Sequence, residues 1–442
     1  MRLATLPLIL IAIATIGCST PAPPTEQVLV LSGMTVVDGT GAPARHDLSI
    51  VIREGRIAAV LEAGERLPAA AHVQDLGGRY LMPGLIDGHV HLATQARPEG
   101  MIEQVLAATL LGGVTTVRDM GGAGASLEQL ARAERAGAVS PRIVYAQLLT
   151  GPGSTFWQSG ATASHVSGGG PPGSTFGFRQ ITTIEDAERA IAEAVRHGAA
   201  GVKLHSGFDT ALATTVVDIA RRRGLQVWAH ASLGDVGLTD LLRLAPDTVS
   251  HADMLAYAGV TDVSALAGTG YLARTSAAMA LTPADGPALG DALDLMRTQG
   301  VALDPTLMVM GDAPETLAYR TWVAAATQRA HARGVRIVAG TDALGGSSPN
   351  LHLELQLLVE RGGLSPVEAI RAATLNAAVA IGRDADLGSI APGKRADLVV
   401  LSADPSLDIR NTLTVTAVIK DGRVHRRDRP MPTPPGARTP GG

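Results

Sequence analysis

The chain has 442 residues, a formal net charge of -4 and a pI near 6.3. Hydrophobic residues make up 46% of the sequence and charged residues 18%, which is typical of a folded protein with a large core. This charge balance lacks the basic footprint of a nucleic-acid-binding protein, so we expect no nucleic-acid partner.

The N-terminal segment is typical of an exported protein. The apolar run Leu3–Ile16 is long enough for the core of a signal peptide and shorter than the ~20 residues of a membrane-spanning helix. Cys18, the only cysteine, resembles the lipidated cysteine of a bacterial lipoprotein, with simple secretion or an uncleaved anchor as alternatives. We therefore expect residues 1–18 to be a signal peptide and residues 19–27 a tether. The mature protein would be periplasmic or outer-membrane-anchored, touching the membrane only through its lipid.

Short β-type runs broken by turns occur near both ends of the chain. They lie between Val28 and Tyr80 and again between Gly388 and Arg426. We expect the two groups to pair into one small β-sandwich domain formed by residues 28–82 and 386–427. Residues 428–442 are rich in proline and glycine, and we expect a disordered tail there.

The middle of the chain, residues 83–385, alternates helix-like and strand-like segments. One helix is predicted from the capping signature of Thr182 and Glu185. Eight strand candidates follow one another: LIDGHVHL, VTTVRDM, RIVYAQL, GVKLHS, LQVWAHA, TVSHAD, VALDPTL and VRIVAGTD. This alternation favours an α/β fold, a (β/α)8 barrel whose reactive residues lie at the C-terminal ends of the strands. A doubly wound sheet is the alternative, but no glycine-rich phosphate turn follows the first strand.

Residues of metal-binding type lie at the ends of these strand candidates. Side chains two apart on a strand share a face, so the two histidines of the first segment can bind one cation together. Each residue alone would more often be a hydrogen-bonded core residue or a helix cap. Their common position favours a metal site, because imidazole and carboxylate are ordinary ligands of zinc and its neighbours. The set is His89, His91, Lys203, His230, His251 and Asp342.

Lys203 is one of only three lysines among 37 basic residues, and it lies in the apolar segment GVKLHS. Burial there lowers the pKa of the amine and makes its neutral, nucleophilic form accessible, whereas arginine stays charged. A surface lysine whose stem packs on the strand is the alternative. We interpret Lys203 as a residue that is needed for amine chemistry.

A set of motifs resembles the amidohydrolase superfamily. Within it, the prolidase-like and imidazolonepropionase-related metal hydrolases are most similar. The resemblance covers nearly all of the chain from Val28 to Arg426. The motifs are LMPGLIDGHVHL, TTVRDMGG, GVKLHS, WAHA, SHAD, AGTDA and LGSIAPGKRADLVVL.

The resemblance implies a site with two divalent metal ions, for which we expect Zn²⁺. The histidines of the first strand would bind one ion together with Asp342, and His230 and His251 would bind the second. Lys203, converted by CO2 into N6-carboxylysine, would bridge both ions. The negative carbamate would offset the positive charge of the metals, whereas a protonated lysine would oppose metal binding.

This site predicts hydrolysis of an amide or peptide bond in a small-molecule substrate of dipeptide or N-acyl amino acid type. Two metals lower the pKa of a shared water, and Asp342 would act first as a base and then as an acid toward the leaving nitrogen. Lactone or phosphotriester hydrolysis could use the same hydroxide. Related deaminases usually carry a glutamate three residues after the strand-five histidine, where this chain has Leu233. A non-catalytic relative would usually lack one or more metal ligands.

The loop Gly151–Phe178 is glycine-rich and holds three of the four phenylalanines. We expect it to act as a mobile lid over an apolar substrate group, or else to pack on the barrel rim or against another subunit. A homo-oligomer is compatible with the sequence. The loop starts with TGPGS rather than the TGG-like motif of the family, which argues against the usual dipeptide-binding mode. Five residues are candidates for binding substrate: His205, Tyr257, Phe156, Trp157 and His165.

Overall fold

A computed structural model describes residues 28–426 except 70, 155–164, 167–170, 172, 261–262, 264–265, 267–269, 311–315 and 345–349. The predicted signal peptide, tether and C-terminal tail lie outside the described residues. No helix in the described part of the chain is both long and apolar enough to cross a membrane.

The strands begin and end as follows: β1 Leu29–Val36, β2 Arg45–Arg53, β3 Arg56–Leu61, β4 His72–Asp75, β5 Tyr80–Pro83, β6 Leu85–His91, β7 Val114–Asp119, β8 Arg142–Thr150, β9 Ser174–Thr175, β10 Phe178–Gln180, β11 Gly201–Leu204, β12 Gln226–His230, β13 Thr248–Ser250, β14 Ala302–Asp304, β15 Ala343–Leu344, β16 Leu398–Leu401, β17 Val415–Lys420 and β18 Arg423–Arg426.

The α-helices are α1 Met101–Leu111, α2 Gly124–Arg135, α3 Ile184–Arg196, α4 Thr210–Arg222, α5 Leu238–Arg243, α6 Tyr271–Leu281, α7 Pro287–Gln299, α8 Leu317–Ala332, α9 Asn350–Glu360, α10 Pro366–Ala372 and α11 Leu375–Ala380. A longer 3-10 helix covers Ala252–Gly259, directly after β13.

Strands from both chain ends form one sheet in the order β18-β17-β16-β5-β1-β2-β3, with β4 pairing beside β1. The contact between the two ends is antiparallel and joins β5 to β16. Leu31 and Ile50 from the first part pack with Leu398 and Ile419 from the last part in one apolar core. The expectation of a small β domain built from both ends is confirmed.

The second sheet is the parallel wall of a barrel, in the order β14-β13-β12-β11-β8-β7-β6-β15. Every residue of β7 and β8 is buried, as expected for strands that are covered on both faces. The ring closes through the segment before β15, since Val338 donates to the carbonyl of Leu303 and Gly88 donates to the carbonyl of Ala339. The predicted barrel fold is confirmed, and the ends of its strands set the position of the site.

Two local predictions need correction. The eighth segment is predicted as a strand up to Asp342, but it contains an isolated bridge at Ile337 and single hydrogen bonds after it, and the regular strand is β15. The helix predicted from Thr182 and Glu185 is α3, but its N-cap is Thr183, whose side chain accepts from the backbone N–H of Asp186. Both threonines have an acidic residue three positions later, but the reciprocal bonds form between Thr183 and Asp186, whose side chain accepts from the backbone N–H of Thr183.

Candidate metal centre

The six residues of metal-binding type come together at the C-terminal end of the barrel. His89 and His91 end β6, Lys203 lies in β11 and His230 ends β12. His251 directly follows β13, and Asp342 directly precedes β15.

The carboxylate of Asp342 lies between the two histidines of β6. Its Oδ1 is 3.3 Å from Nε2 of His89 and 3.2 Å from Nε2 of His91. Ligand atoms of His89, His251 and Asp342 all lie within 4.8 Å of one another. This is the spacing of groups that can share one cation.

The other imidazoles continue the cluster away from Asp342. The ring centroids of His89 and His251 are 5.2 Å apart, and those of His251 and His230 are 4.7 Å apart. Lys203 is 1% exposed, and its Nζ donates to the hydroxyl of Ser250 at 2.7 Å. The side chains thus converge from four strands on one space.

Hydrogen bonds on the outer side of the cluster orient these rings. Nδ1 of His89 donates to Asp304 at 2.7 Å, and Nδ1 of His91 donates to the carbonyl of Gly121 at 2.7 Å. Nδ1 of His251 lies 3.0 Å from the hydroxyl of Thr306. Because each Nδ1 is engaged, Nε2 is the nitrogen left for the centre, which is the usual arrangement around metal-bound histidine.

Burial sets the charge of the ligand set. It lowers the pKa of His89 and His230 well below the ordinary value and that of His251 to about 4, so these rings are neutral at neutral pH. Burial opposes the ionisation of Asp342, but the neighbouring histidines outweigh it and lower its pKa. Neutral imidazoles around a carboxylate are the donor set that divalent zinc takes, so the residues present fit such an ion.

The pKa of the Lys203 amine is lowered to about 7, first by burial and then by the charge of Arg118, while Asp304 and Asp342 act in the opposite direction. A substantial neutral fraction therefore exists near neutral pH. Arginine at this position would carry its charge throughout.

Backbone conformation is unusual at the same strand ends. His251 has φ 74°, Asp342 has φ 52° and Thr306 has φ 50°, all in the left-handed region that side chains other than glycine rarely adopt. Such strain persists where the surroundings hold it, and it concentrates at functional sites.

Sequence reasoning missed the residues that hold the ligands from behind. Asp304 ends β14, is fully buried and lies 3.7 Å from the guanidinium of Arg118, which itself packs 4.9 Å from the ring of Trp228. Burial raises the pKa of Asp304 to about 6. The available signal is the aspartate at the end of the seventh strand candidate, in the motif VALDPTL.

Two cavities adjoin the centre and share His230, His251 and Asp342. The larger one has a volume of about 400 Å³ and is also lined by Met254, Tyr271, Leu272, Val309, Thr316 and Tyr319. The smaller one has a volume of about 230 Å³ and is also lined by His91, Thr94, Gln95, Met120, Leu148, Phe178, Lys203, His205 and Leu344.

The five substrate-binding candidates lie in different places. His205 lines the smaller cavity, and its ring centroid is 4.1 Å from that of His230. Tyr257 is buried in the 3-10 helix with its hydroxyl 3.4 Å from Thr275, and it lines neither cavity. His165 is half-buried in a short helical turn and is likewise absent from both linings. Phe156 and Trp157 lie outside the described residues, so their lid role stays a prediction.

Comparison with known proteins gives consistent matches over most of the chain. The model of the amidohydrolase family matches residues 80–425. Imidazolonepropionase of Deinococcus deserti is 28% identical, over 90% of this chain and 94% of the relative. Ochratoxinase of Aspergillus niger is 25% identical, over 90% of this chain and 87% of the relative. The crystal structure of a Xaa-Pro dipeptidase superposes with a TM-score of 0.69 at 21% identity, covering 91% of this chain and all of that one.

Proposed function

The chain belongs to the amidohydrolase family and is a hydrolase, and we propose that it uses two metal ions to cleave an amide bond of dipeptide or N-acyl amino acid type. The observation that carries this proposal is the convergence of His89, His91 and Asp342, with the remaining imidazoles and Lys203 around the same space. The name of the Xaa-Pro dipeptidase, whose structure superposes on this chain, supports a peptide bond as the bond that is cleaved.

The residues divide into two groups around the centre. We assign His89, His91 and Asp342 to one divalent ion, with Zn²⁺ as the expected metal, and His230 and His251 to a second. When bound, such ions lower the pKa of water and polarise a carbonyl oxygen.

Lys203 is the bridging group in this proposal. Its neutral Nζ would form a C–N bond to CO2 and release one proton, leaving a carbamate whose single negative charge is shared by two oxygens that could each bind one ion. Burial supports this role because it leaves the amine partly neutral, and within the described part of the chain the amine donates one hydrogen bond, to the hydroxyl of Ser250.

Asp342 moves the proton during the reaction. Its carboxylate lies beside His89 and His91 at the centre, where it would take the proton from the attacking water and then deliver that proton to the leaving nitrogen. A deaminase is disfavoured, because Leu233, at the position where that branch carries a glutamate, is apolar and fully buried.

An activity screen of the zinc-loaded protein against dipeptides and N-acyl amino acids tests the proposal. We expect hydrolysis that a chelator abolishes and added zinc restores. Turnover of lactones or phosphotriesters without any amide hydrolysis would contradict it.

We also propose that the protein is exported and anchored through a lipid on Cys18. Expression in a bacterium with a radiolabelled fatty acid should label the wild-type chain and not Cys18→Ser, and only the wild type should sediment with membranes. Equal labelling of both proteins would contradict the anchor.

A further inference from the structure

The larger cavity beside the metal centre has an apolar wall. Met254, Tyr271, Leu272, Val309 and Tyr319 form it. We propose that this cavity binds a bulky, uncharged apolar group of the substrate, so that the preferred amide carries an aryl or branched alkyl group on one side of the scissile bond. This inference rests on the proposed function for its reaction, but the wall itself can be tested by binding.

The cavity lies next to the metal centre, which is the position expected of a substrate-binding site. It shares His230, His251 and Asp342 with the smaller cavity, so a bond placed at these residues adjoins both cavities. The volumes differ, about 400 Å³ against about 230 Å³. The larger substituent of the substrate therefore fits the side of Tyr271 and Leu272.

Two tyrosines in the wall are held so that they present rings rather than hydroxyls. The hydroxyls of Tyr271 and Tyr319 both donate to the same oxygen of Asp253, which is fully buried. Burial and the charge of Asp253 raise the pKa of both phenols, which keeps them protonated as donors. Asp253 is thus a positioning residue, and it removes from the cavity two hydroxyls that would otherwise favour a polar ligand.

The rim of the cavity leaves large apolar side chains in water. Tyr271 is 47% exposed, Leu272 is 51% exposed and Val309 is 49% exposed. Covering apolar surface of this kind contributes about 25 cal/mol for each Å² removed from water. An apolar substrate group bound here would be stabilised by this removal of apolar surface from water, whereas a small or charged group would not.

Charge argues in the same direction. No Lys or Arg belongs to the described lining of this cavity. The described lining therefore offers no side-chain cation, away from the metal centre, that could pair with a carboxylate or phosphate group.

Three amides that differ only in substituent size test the proposal: N-acetylalanine, N-phenylacetylalanine and N-acetylphenylalanine. We expect one of the two bulky amides to exceed N-acetylalanine by at least about 10-fold in kcat/KM, equivalent to about 1.4 kcal/mol. Leu272→Glu should reduce that ratio, mainly through a higher KM for the bulky amide. Tyr271→Phe, which keeps the ring and frees it from Asp253, should raise the same KM to a smaller extent.

The matched control is Leu281→Glu, at the other end of the same helix and 62% exposed, which should keep the wild-type ratio. Equal kcat/KM for the three amides, or a preference that survives in Leu272→Glu, would overturn the proposal.

Calorimetry of the binding of the two bulky amides tests the apolar cavity independently of whether the protein hydrolyses them. If Leu272→Glu weakens the binding of either amide and Leu281→Glu does not, the apolar cavity is supported. If in addition none of the amides is cleaved, only the proposal of amide hydrolysis fails. If neither bulky amide binds more tightly than N-acetylalanine, the cavity proposal fails.

Discussion

Two buried lysines at opposite ends of the barrel have different surroundings. Lys420, 8% exposed, donates to the carboxylate of Glu134 and lies 3.8 Å from Asp421. Lys203, 1% exposed, donates to the hydroxyl of Ser250, which is its one hydrogen-bond partner among the described residues. The first amine is an ion-pair partner that ties the end sheet to the barrel. The second is buried more deeply and forms no ion pair with a carboxylate of the residues that the structure describes.

The same contrast holds for the groups around each lysine. Near Lys420, Arg142 pairs with Asp397 at 2.6 Å and with Asp421 at 2.8 Å, so the charges meet each other directly. Near Lys203, the histidines His89, His91 and His251 each use Nδ1 for a hydrogen bond on the outer side of the cluster, which leaves Nε2 for the common centre. Incomplete pairing of buried polar groups, rather than their burial, is what distinguishes the candidate site from structural ion pairs.

The largest effect should come from Lys203. Lys203→Ala and Lys203→Arg should each lower kcat/KM by at least about 100-fold, because neither side chain can form the carbamate. Metal content, measured by mass spectrometry of the dialysed protein, should fall in parallel.

Lys420→Arg is the matched control for this change. It keeps the charge that pairs with Glu134, so activity and metal content should stay at the wild-type level. If Lys203→Arg were as active as Lys420→Arg, the contrast between the two lysines would have no functional meaning.

The next effect concerns the groups behind the ligands. Asp304→Asn should weaken metal affinity by about 10- to 100-fold, because His89 loses the carboxylate that orients it. Competition with a chromogenic chelator measures this affinity. Asp397→Asn, at the other end of the barrel, should lower the free energy of unfolding and leave metal affinity unchanged; a loss of metal affinity there would contradict the separation of the two ends.

The ion-pair end should show a pH-dependent stability. Burial opposes ionisation of Asp421, but the charges of Arg142 and Arg395 outweigh it and lower its pKa. A carboxyl whose pKa is lowered by folding stabilises the protein above its unfolded pKa, and this contribution is lost as the pH falls through the folded value.

Asp421→Asn should therefore reduce the free energy of unfolding by about 1 to 3 kcal/mol at pH 7, and the difference from wild type should shrink below pH 4. Urea unfolding of both proteins at several pH values measures it. A difference that stays constant with pH would mean that the charge of Asp421 contributes nothing.

The smallest effect should come from the third lysine, Lys394, which is half-buried and donates to the carbonyl of Leu387 at 3.0 Å. Lys394→Met should cost about 1 kcal/mol or less of unfolding free energy and leave activity unchanged. A loss of activity here would mean that the surroundings of a lysine do not distinguish a functional residue from a structural one.

The barrel and its ligands were predictable because local patterns carry them. Strand runs such as VTTVRD and histidines at strand ends are visible along the sequence, and the closed barrel brings those ends together. The motif VALDPTL places Asp304 at a strand end, but its pairing with His89 was not predictable, because the two residues are 215 positions apart in the sequence. The wall of the larger cavity was missed for the same reason, since Tyr271 and Tyr319 meet at Asp253 from separate helices.

A crystal structure of the zinc-loaded protein, grown with bicarbonate present, tests the central claim most directly. The account predicts electron density extending beyond Nζ of Lys203 as a carbamate that contacts two metal ions, one held by His89, His91 and Asp342 and the other by His230 and His251. An unmodified amine that still donates to Ser250, beside a single ion or none, would contradict it.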